Sequence, residues 1–394
     1  DSCGARFQRI IQEAFSQSKR KVVIIVDEYD SPLLAHLHDG HLNEYKQILQ
    51  NIYQQLKTCE QYEQFVFITG ISRFSQVSIF STLNNLQNIS MDTNFSDICG
   101  ITKKELTDNF REDIQLMADE NKCSYDEMIE KLKFHYDGYH FNEELKDIFN
   151  PLSVLCCLDS KKIKNYWFET ATSSYVINHL QHFEANILEF EGIELFDSDF
   201  YVSQEDFKSI YPLLYQAGYL TIKGYDDEAK TYIIGYPNNE VRVSMMQILM
   251  PSYVGCSSLQ CKSSMVNFYF SIKKGEYEKG FDYLKTFLAS IPNELNNKKE
   301  KDYQTILYVL FTWLGFYTQV EVSTAIGRMD MVIYTKTNIY IFEFKVNKSA
   351  EEAMKQIHER NYEVKFKNDG REIVKFGINI SSKKRTIDKW IMEK

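Results

Sequence analysis

The chain has 394 residues, 44% of them apolar, with 6 Pro and 16 Gly; this exceeds what one hydrophobic core usually serves and is too apolar for disorder, so two or three packed domains are expected. No stretch reaches about 18 consecutive apolar residues and the N-terminus shows no basic-then-apolar leader, so the expectation is a soluble, cytoplasmic protein with no membrane partner. A formal charge of −10 argues against a generally basic nucleic-acid binder, and the eight cysteines lack the CxxC spacing or paired histidines of a zinc site.

Phe7, Ile10, Ile11, Ala14 and Phe15 recur at helical spacing, and the β-branched run Val22-Val23-Ile24-Ile25-Val26 follows as a strand expected to be fully buried, as in a parallel sheet. A helix over about Leu42 to Lys57 and a second buried strand at Phe65-Val66-Phe67-Ile68-Thr69-Gly70 complete a βαβ unit. The first strand delivers Asp27 and Glu28 to the sheet edge where open α/β folds bind ligands, which is a Walker B pattern. In a working site Asp27 would hold Mg²⁺ through water and Glu28 would polarise the attacking water, whereas a plain strand cap would read the same.

Between residues 150 and 296 helices dominate, interrupted by one hairpin. Leu213 to Leu220 reads as a helix end running into a strand, Gly224-Tyr225-Asp226-Asp227 as the turn, and Thr231-Tyr232-Ile233-Ile234 as the return strand. A helix opens after Pro237-Asn238-Asn239-Glu240, so the middle is winged-helix-like. Its acidic hairpin tip favours a structural connector over a nucleic-acid contact.

The C-terminal segment reads helix (about Lys301 to Leu314), three strands (Thr318 to Ser323, Met329 to Tyr334, Ile339 to Val346), helix (Ala350 to Tyr362) and strand (Ile373 to Ile380). From Ile291 onward there are 18 Lys and Arg against 14 Asp and Glu, a basic excess concentrated in Lys383, Lys384, Arg385 and Lys389. Such an edge suits phosphate handling, and a solvated tail helix would look the same.

Here Asp330 is followed, after twelve residues, by Glu343-Phe344-Lys345. Two apart on a strand, Glu343 and Lys345 share one face while Phe342, Phe344 and Val346 take the other. Asp330, on the preceding strand, can lie opposite them. Two converging carboxylates make an oxygen site for Mg²⁺ or Mn²⁺, and a neighbouring lysine can orient water and offset phosphate charge. The bland reading is a hairpin with an exposed charged face, against which stands the apolarity of the whole run, where burying unpaired charges would cost several kcal/mol.

These residues resemble the PD-(D/E)XK nuclease superfamily from about Asn297 to the C-terminus. Val26-Asp27-Glu28-Tyr29-Asp30-Ser31-Pro32-Leu33, Phe67-Ile68-Thr69-Gly70-Ile71-Ser72-Arg73-Phe74, Ile79 to Leu86, Tyr136-Asp137-Gly138-Tyr139-His140-Phe141 and Asn150-Pro151-Leu152-Ser153 resemble the AAA-ATPase-like family of bacterial proteins, in which such a module is joined to a PD-(D/E)XK domain. The resemblance implies an α/β protein with three parts. Residues 1–149 would form a partial P-loop-type parallel sheet module, 150–296 a helical, winged-helix-like middle, and 297–394 an αβββαβ restriction-endonuclease-like domain. It further implies that Arg73 senses a γ-phosphate, that Glu300 approaches the metal, with Asp302 as its alternative, and that Gln356 on the helix after the ExK strand assists, with Tyr362 two turns on.

One departure stands out: no GxxxxGK[ST] loop occurs in the sequence, and residues 1–21 contain only Gly4. ATP is therefore expected as a ligand only if an upstream phosphate-binding loop exists. The leading expectation is a metal-dependent nuclease acting on DNA before RNA, coupled to an ATPase-like module. Its alternative is a non-catalytic binding or assembly scaffold built from the same two folds. An oligomer is compatible with either.

Overall fold

The computed structural model describes residues 2–35, 40–70, 83–167, 187–201, 210–254, 259–291, 299–324 and 326–394. Several of its helices start where a side chain satisfies a free N–H. Ser2 accepts from Ala5, Ser124 and Glu127 form a capping box, Asn150 accepts from Ser153 ahead of Pro151, and Ser349 accepts from Glu352. The helices are α1 (Cys3–Ser18), α2 (Ser31–Ala35), α3 (Leu42–Thr58), α4 (Lys103–Asn109), α5 (Arg111–Glu120), α6 (Tyr125–Tyr136), α7 (Pro151–Ser160), α8 (Tyr211–Gln216), α9 (Asn239–Val254), α10 (Leu259–Lys274), α11 (Tyr277–Ser290), α12 (Glu300–Trp313) and α13 (Ala350–Glu359). The strands are β1 (Val22–Val26), β2 (Glu63–Ile68), β3 (Ile101–Thr102), β4 (Ile148–Phe149), β5 (Ile193–Phe196), β6 (Thr221–Asp226), β7 (Thr231–Gly235), β8 (Tyr317–Thr324), β9 (Gly327–Tyr334), β10 (Asn338–Val346), β11 (Glu372–Ser381) and β12 (Thr386–Glu393).

The chain divides into two units, and the stretch 150–296 contributes to both. The first comprises Asp1–Asn109, Gly138–Phe149 and Gly192–Pro237. In it β1 and β2 pair in parallel, joined by the helical connection that parallel strands require, and α1 and α3 pack on one face through Ile11, Ile24, Leu49, Tyr53 and Leu56. The expected full burial of β1 does not hold, since Val23 is 54% exposed, Ile25 69% and Phe65 55%. Side chains alternate across a strand, and among the described residues one face of this two-stranded sheet is covered.

The hairpin β6–β7 is extended by β5 into an antiparallel sheet of order β5-β7-β6. Its turn lies at residues 227–230, three residues later than the expected Gly224-Tyr225-Asp226-Asp227. Gly224 sits instead at a register shift within β6, where Ile222 faces Ile234 and Gly224 faces Ile233, so this glycine marks a bulge. The segment Gly138-Tyr139-His140 latches onto the hairpin. Tyr139 Oη donates to the Gly218 carbonyl at 3.1 Å, the His140 N–H to Thr221 Oγ1 at 2.8 Å, and His140 Nδ1 lies 2.7 Å from the Ile222 carbonyl. Gly138 has φ +92°, and a Cβ there would meet the Pro237 carbonyl at 2.5 Å.

The second unit comprises Phe110–Asp137, Asn150–Glu191 and Asn238–Lys394. Its five-stranded sheet has the order β12-β11-β10-β9-β8, antiparallel except for β10 and β11, which α13 connects. On one face α11 and α12 pack: Phe281 stacks on Trp390 at 4.4 Å, and Phe311 lies 5.8 Å from Phe342. The opposite face carries α13, with Met354 and Ile357 against Val332, Ile339 and Ile341. The α13 helix ends at Glu359, and Tyr362–Phe366 form a 3-10 turn.

The C-terminal tail, read from sequence as a basic edge or a solvated helix, is the edge strand β12. Two of its lysines are engaged: Lys389 pairs with Glu351, and Lys384 with Asp388 at 2.8 Å.

Candidate active site

Parallel register places Glu343 beside Gly377 and Lys345 beside Asn379, so these four positions share the α13 face of the sheet with Ile341 and Val332. Gly377 lets the helix approach, because a Cβ there would lie 2.7 Å from the Ala350 carbonyl and 2.8 Å from the Met354 nitrogen. Beyond Met331 and Phe342 the regular pairing of β9 with β10 stops. In the gap Asp330 turns its carboxylate onto β10, where Oδ2 accepts from the Phe344 N–H at 2.8 Å. The strand fork thus brings Asp330 to Glu343.

The Glu343 side chain is 0% exposed; Oε1 accepts from Lys345 Nζ at 2.9 Å, and Oε2 is buried without a hydrogen-bond partner. Lys345 Nζ also donates to the Phe344 carbonyl at 3.0 Å. Burial raises the Glu343 carboxyl above the carboxylate range, and the Asp330 charge raises it further against the pull of Lys345 and of the Asp330 backbone N–H. Asp330 is likewise raised, first by burial, with Glu300 and Glu321 adding to the shift against the Phe344 N–H and Lys345. Burial by itself lowers a lysine, yet Lys345 is raised because Glu343, Asp330 and Glu300 surround it with negative charge.

A buried carboxylate oxygen with no donor, beside a second carboxylate, is a donor set for a hard cation, so the residues present fit Mg²⁺ or Mn²⁺. Among the described residues no group of three or more His, Cys, Asp or Glu side chains comes together as a cage. Glu300 begins α12 and is exposed, close enough to act electrostatically on Asp330. Asp302 caps the same helix, its carboxylate accepting from the Lys299 N–H at 2.9 Å.

Residues 298–390 match the family model of the PD-(D/E)XK nuclease superfamily, and residues 1–80 match that described as a predicted AAA-ATPase. The chain thus joins a region that matches an AAA-ATPase-like family to one that matches the PD-(D/E)XK superfamily. A relative from Azotobacter chroococcum mcd 1, named "Uncharacterized protein in vnfD 5'region", is 29% identical over 401 residues, covering 99% of this chain and 75% of its own length. No solved structure matches.

In the PD-(D/E)XK region Gln356 bonds to Tyr362, whose hydroxyl feels the charge of Glu343. Its Nε2 donates to Tyr362 Oη at 3.3 Å, and that hydroxyl donates to the Arg328 carbonyl at the start of β9. Two residues that sequence reading passed over also stand at Asp330. Gln304 of α12, 5% exposed, donates from Nε2 to the Asp330 carbonyl at 2.8 Å and to Glu321 Oε1 at 3.2 Å. Its one sequence signal is the four-residue spacing from Glu300 on a helix. Glu321 gives none, because nothing marks a strand glutamate at φ 50°.

In the AAA-ATPase-like region Asp27 and Glu28 do emerge together at the end of β1, both exposed. Asp27 Oδ1 accepts from Thr69 Oγ1 at 2.6 Å and from the Glu28 N–H at 3.0 Å. Arg73 lies outside the described residues.

Proposed function

We propose that residues 297–394 form a metal-dependent phosphodiesterase acting on nucleic acid, DNA before RNA. The buried Glu343, with one oxygen on Lys345 and the other unpartnered beside Asp330, carries this reading. Asp330 and Glu343 would hold Mg²⁺ or Mn²⁺, with Glu300 near enough to join through water. When bound, the ion would polarise a phosphate oxygen and lower the pKa of a water. Lys345 cannot be a ligand, because an ammonium has no lone pair. Held 2.9 Å from Glu343, it orients the attacking water and offsets charge building on the phosphate. The AAA-ATPase-like region would act as a partner module for the nuclease, with Asp27, Glu28 and Arg73 as its nucleotide-facing residues only where a phosphate-binding loop is supplied.

The test pairs Mn²⁺ calorimetry with cleavage of supercoiled plasmid in Mg²⁺, Mn²⁺ or EDTA. Cleavage is expected with either metal and not in EDTA. Asp330→Ala and Glu343→Ala should lose metal and activity together, whereas Lys345→Ala should keep metal and lose about 10²-fold or more in rate. Full cleavage by Lys345→Ala would sink the assignment. Absence of Mn²⁺ binding by the wild type would favour the scaffold reading, since a scaffold has no need of the ion.

A further inference from the structure

We propose that Gln304 is the positioning residue that sets Asp330 in the site, and that Glu321 acts by holding the Gln304 amide. The inference rests on the metal-site reading above and adds two residues that the D…ExK pattern does not contain.

Asp330 lies where the sheet is interrupted on both sides. Toward β8 the pairs run from Val320 with Met331 directly to Val322 with Met329, skipping Glu321 and Asp330. Toward β10 the pairs end at Met331 with Phe342. The cause on the β8 side is local: Glu321 has φ 50°, a left-handed conformation that breaks a strand ladder and that a glutamate adopts only at a cost. The backbone that must present Asp330 is therefore not fixed there by regular strand pairing.

Gln304 supplies a hold in its place. It sits on α12 among Tyr303, Thr305, Ile306 and Leu307, all buried, and points its amide at the interruption. One donor group, Nε2, bridges the Asp330 carbonyl and the Glu321 carboxylate. Carbonyl and carboxylate both only accept, so Glu321 reinforces the amide orientation that the Asp330 carbonyl requires and holds the nitrogen there. The Asp330 side chain is then free to take the Phe344 N–H and to face Glu343. The left-handed turn at Glu321 gains a purpose from this, since it brings the carboxylate to the amide.

Outer partners of metal ligands typically change affinity by about 10- to 100-fold when removed, and that sets the expected scale. The experiment is Mn²⁺ calorimetry on the full chain, with thermal unfolding in EDTA run beside it, for wild type, Asp330→Ala, Gln304→Leu, Glu321→Leu and Glu321→Gln. Gln304→Leu keeps the bulk and removes the donor, and should weaken Mn²⁺ binding about tenfold or more. Glu321→Leu, at an exposed position, should weaken it in the same direction. Glu321→Gln still offers an oxygen to the amide and should restore near-wild-type affinity.

Wild-type affinity in Gln304→Leu or in Glu321→Leu overturns the inference while leaving the metal site standing, provided Asp330→Ala has lost the ion. Should Gln304→Leu fail to unfold cooperatively, the Glu321 pair decides alone. Equal losses in Glu321→Gln and Glu321→Leu mean that the carboxylate acts on the ion itself, which overturns the positioning role. If Asp330→Ala binds Mn²⁺ as the wild type does, the metal-site reading fails and takes this inference with it.

Discussion

At the scale of single residues, burial decides what a charged or titratable group can do. Glu343 and Lys345 share a strand face that α13 covers, so each depends on the other and on whatever Asp330 admits. His135 is a second shielded titratable group, half-buried and in a place unrelated to that chemistry. Its ring lies 5.1 Å from Phe134, Nδ1 is buried without a hydrogen-bond partner, and burial pushes its pKa down to about 4. An unfolded histidine titrates near 6.5, so between about pH 6.5 and 4 the unfolded chain binds the proton that the folded one refuses. Stability contributed by neutral His135 is complete above that window and is lost as pH falls through it, by up to about 3 kcal/mol. In thermal melts the wild type should lose more between pH 7 and pH 5 than His135→Gln does. Parallel losses in the two proteins would show that the imidazole is free to charge in the fold.

At the scale of elements, close approach between α13 and β11 is what closes the site face. Gly377 stands beside Glu343, and the helix backbone passes where a side chain would be. Gly377→Ala should cost about 2 kcal/mol, the usual range for overpacking, and should lower Mn²⁺ affinity as α13 is pushed off the sheet. Unchanged melting temperature and affinity would mean that the helix has room to move. Here the sequence was legible in part. The alternation at Glu343 and Lys345 announced a shared face, and the helix after β10 followed from its apolar spacing at Ala350, Ala353, Met354 and Ile357. What it hid was β12. Thr386 to Glu393 carries three charges and no clean alternation, and only Ile387 is buried, because an edge strand needs backbone partners more than apolar side chains.

At the scale of the whole molecule, the sheet of the PD-(D/E)XK region depends on helices that precede the αβββαβ pattern. Phe281 of α11 covers Trp390 and Phe376, Thr386 Oγ1 donates to the Lys285 carbonyl at 3.0 Å, and Phe268 of α10 stacks on Phe311. By its sequence pattern a fragment beginning near Asn293 should enclose its own core; these contacts set a sharper comparison. A fragment begun at Leu259 should unfold cooperatively, and one begun at Lys299 should melt at a lower temperature with its aromatic face open to solvent. Equal transitions would show that α10 and α11 are accessory.

The sequence by itself determined the two ends of this protein. Periodicity of two puts Glu343 and Lys345 on one face, the run Val22 to Val26 places Asp27 and Glu28 at a strand end, and no lysine-bearing phosphate loop can be read anywhere in it. Tertiary structure decided the rest, because the rest depends on residues far apart in the chain. Only packing could bury Glu343 and leave Oε2 without a donor, bring Gln304 to Asp330 across 26 residues, and latch His140 onto a hairpin 81 residues further on. Such contacts leave no local periodicity behind. A glutamine on a helix and a glutamate in a strand read as surface until the fold shows what they face.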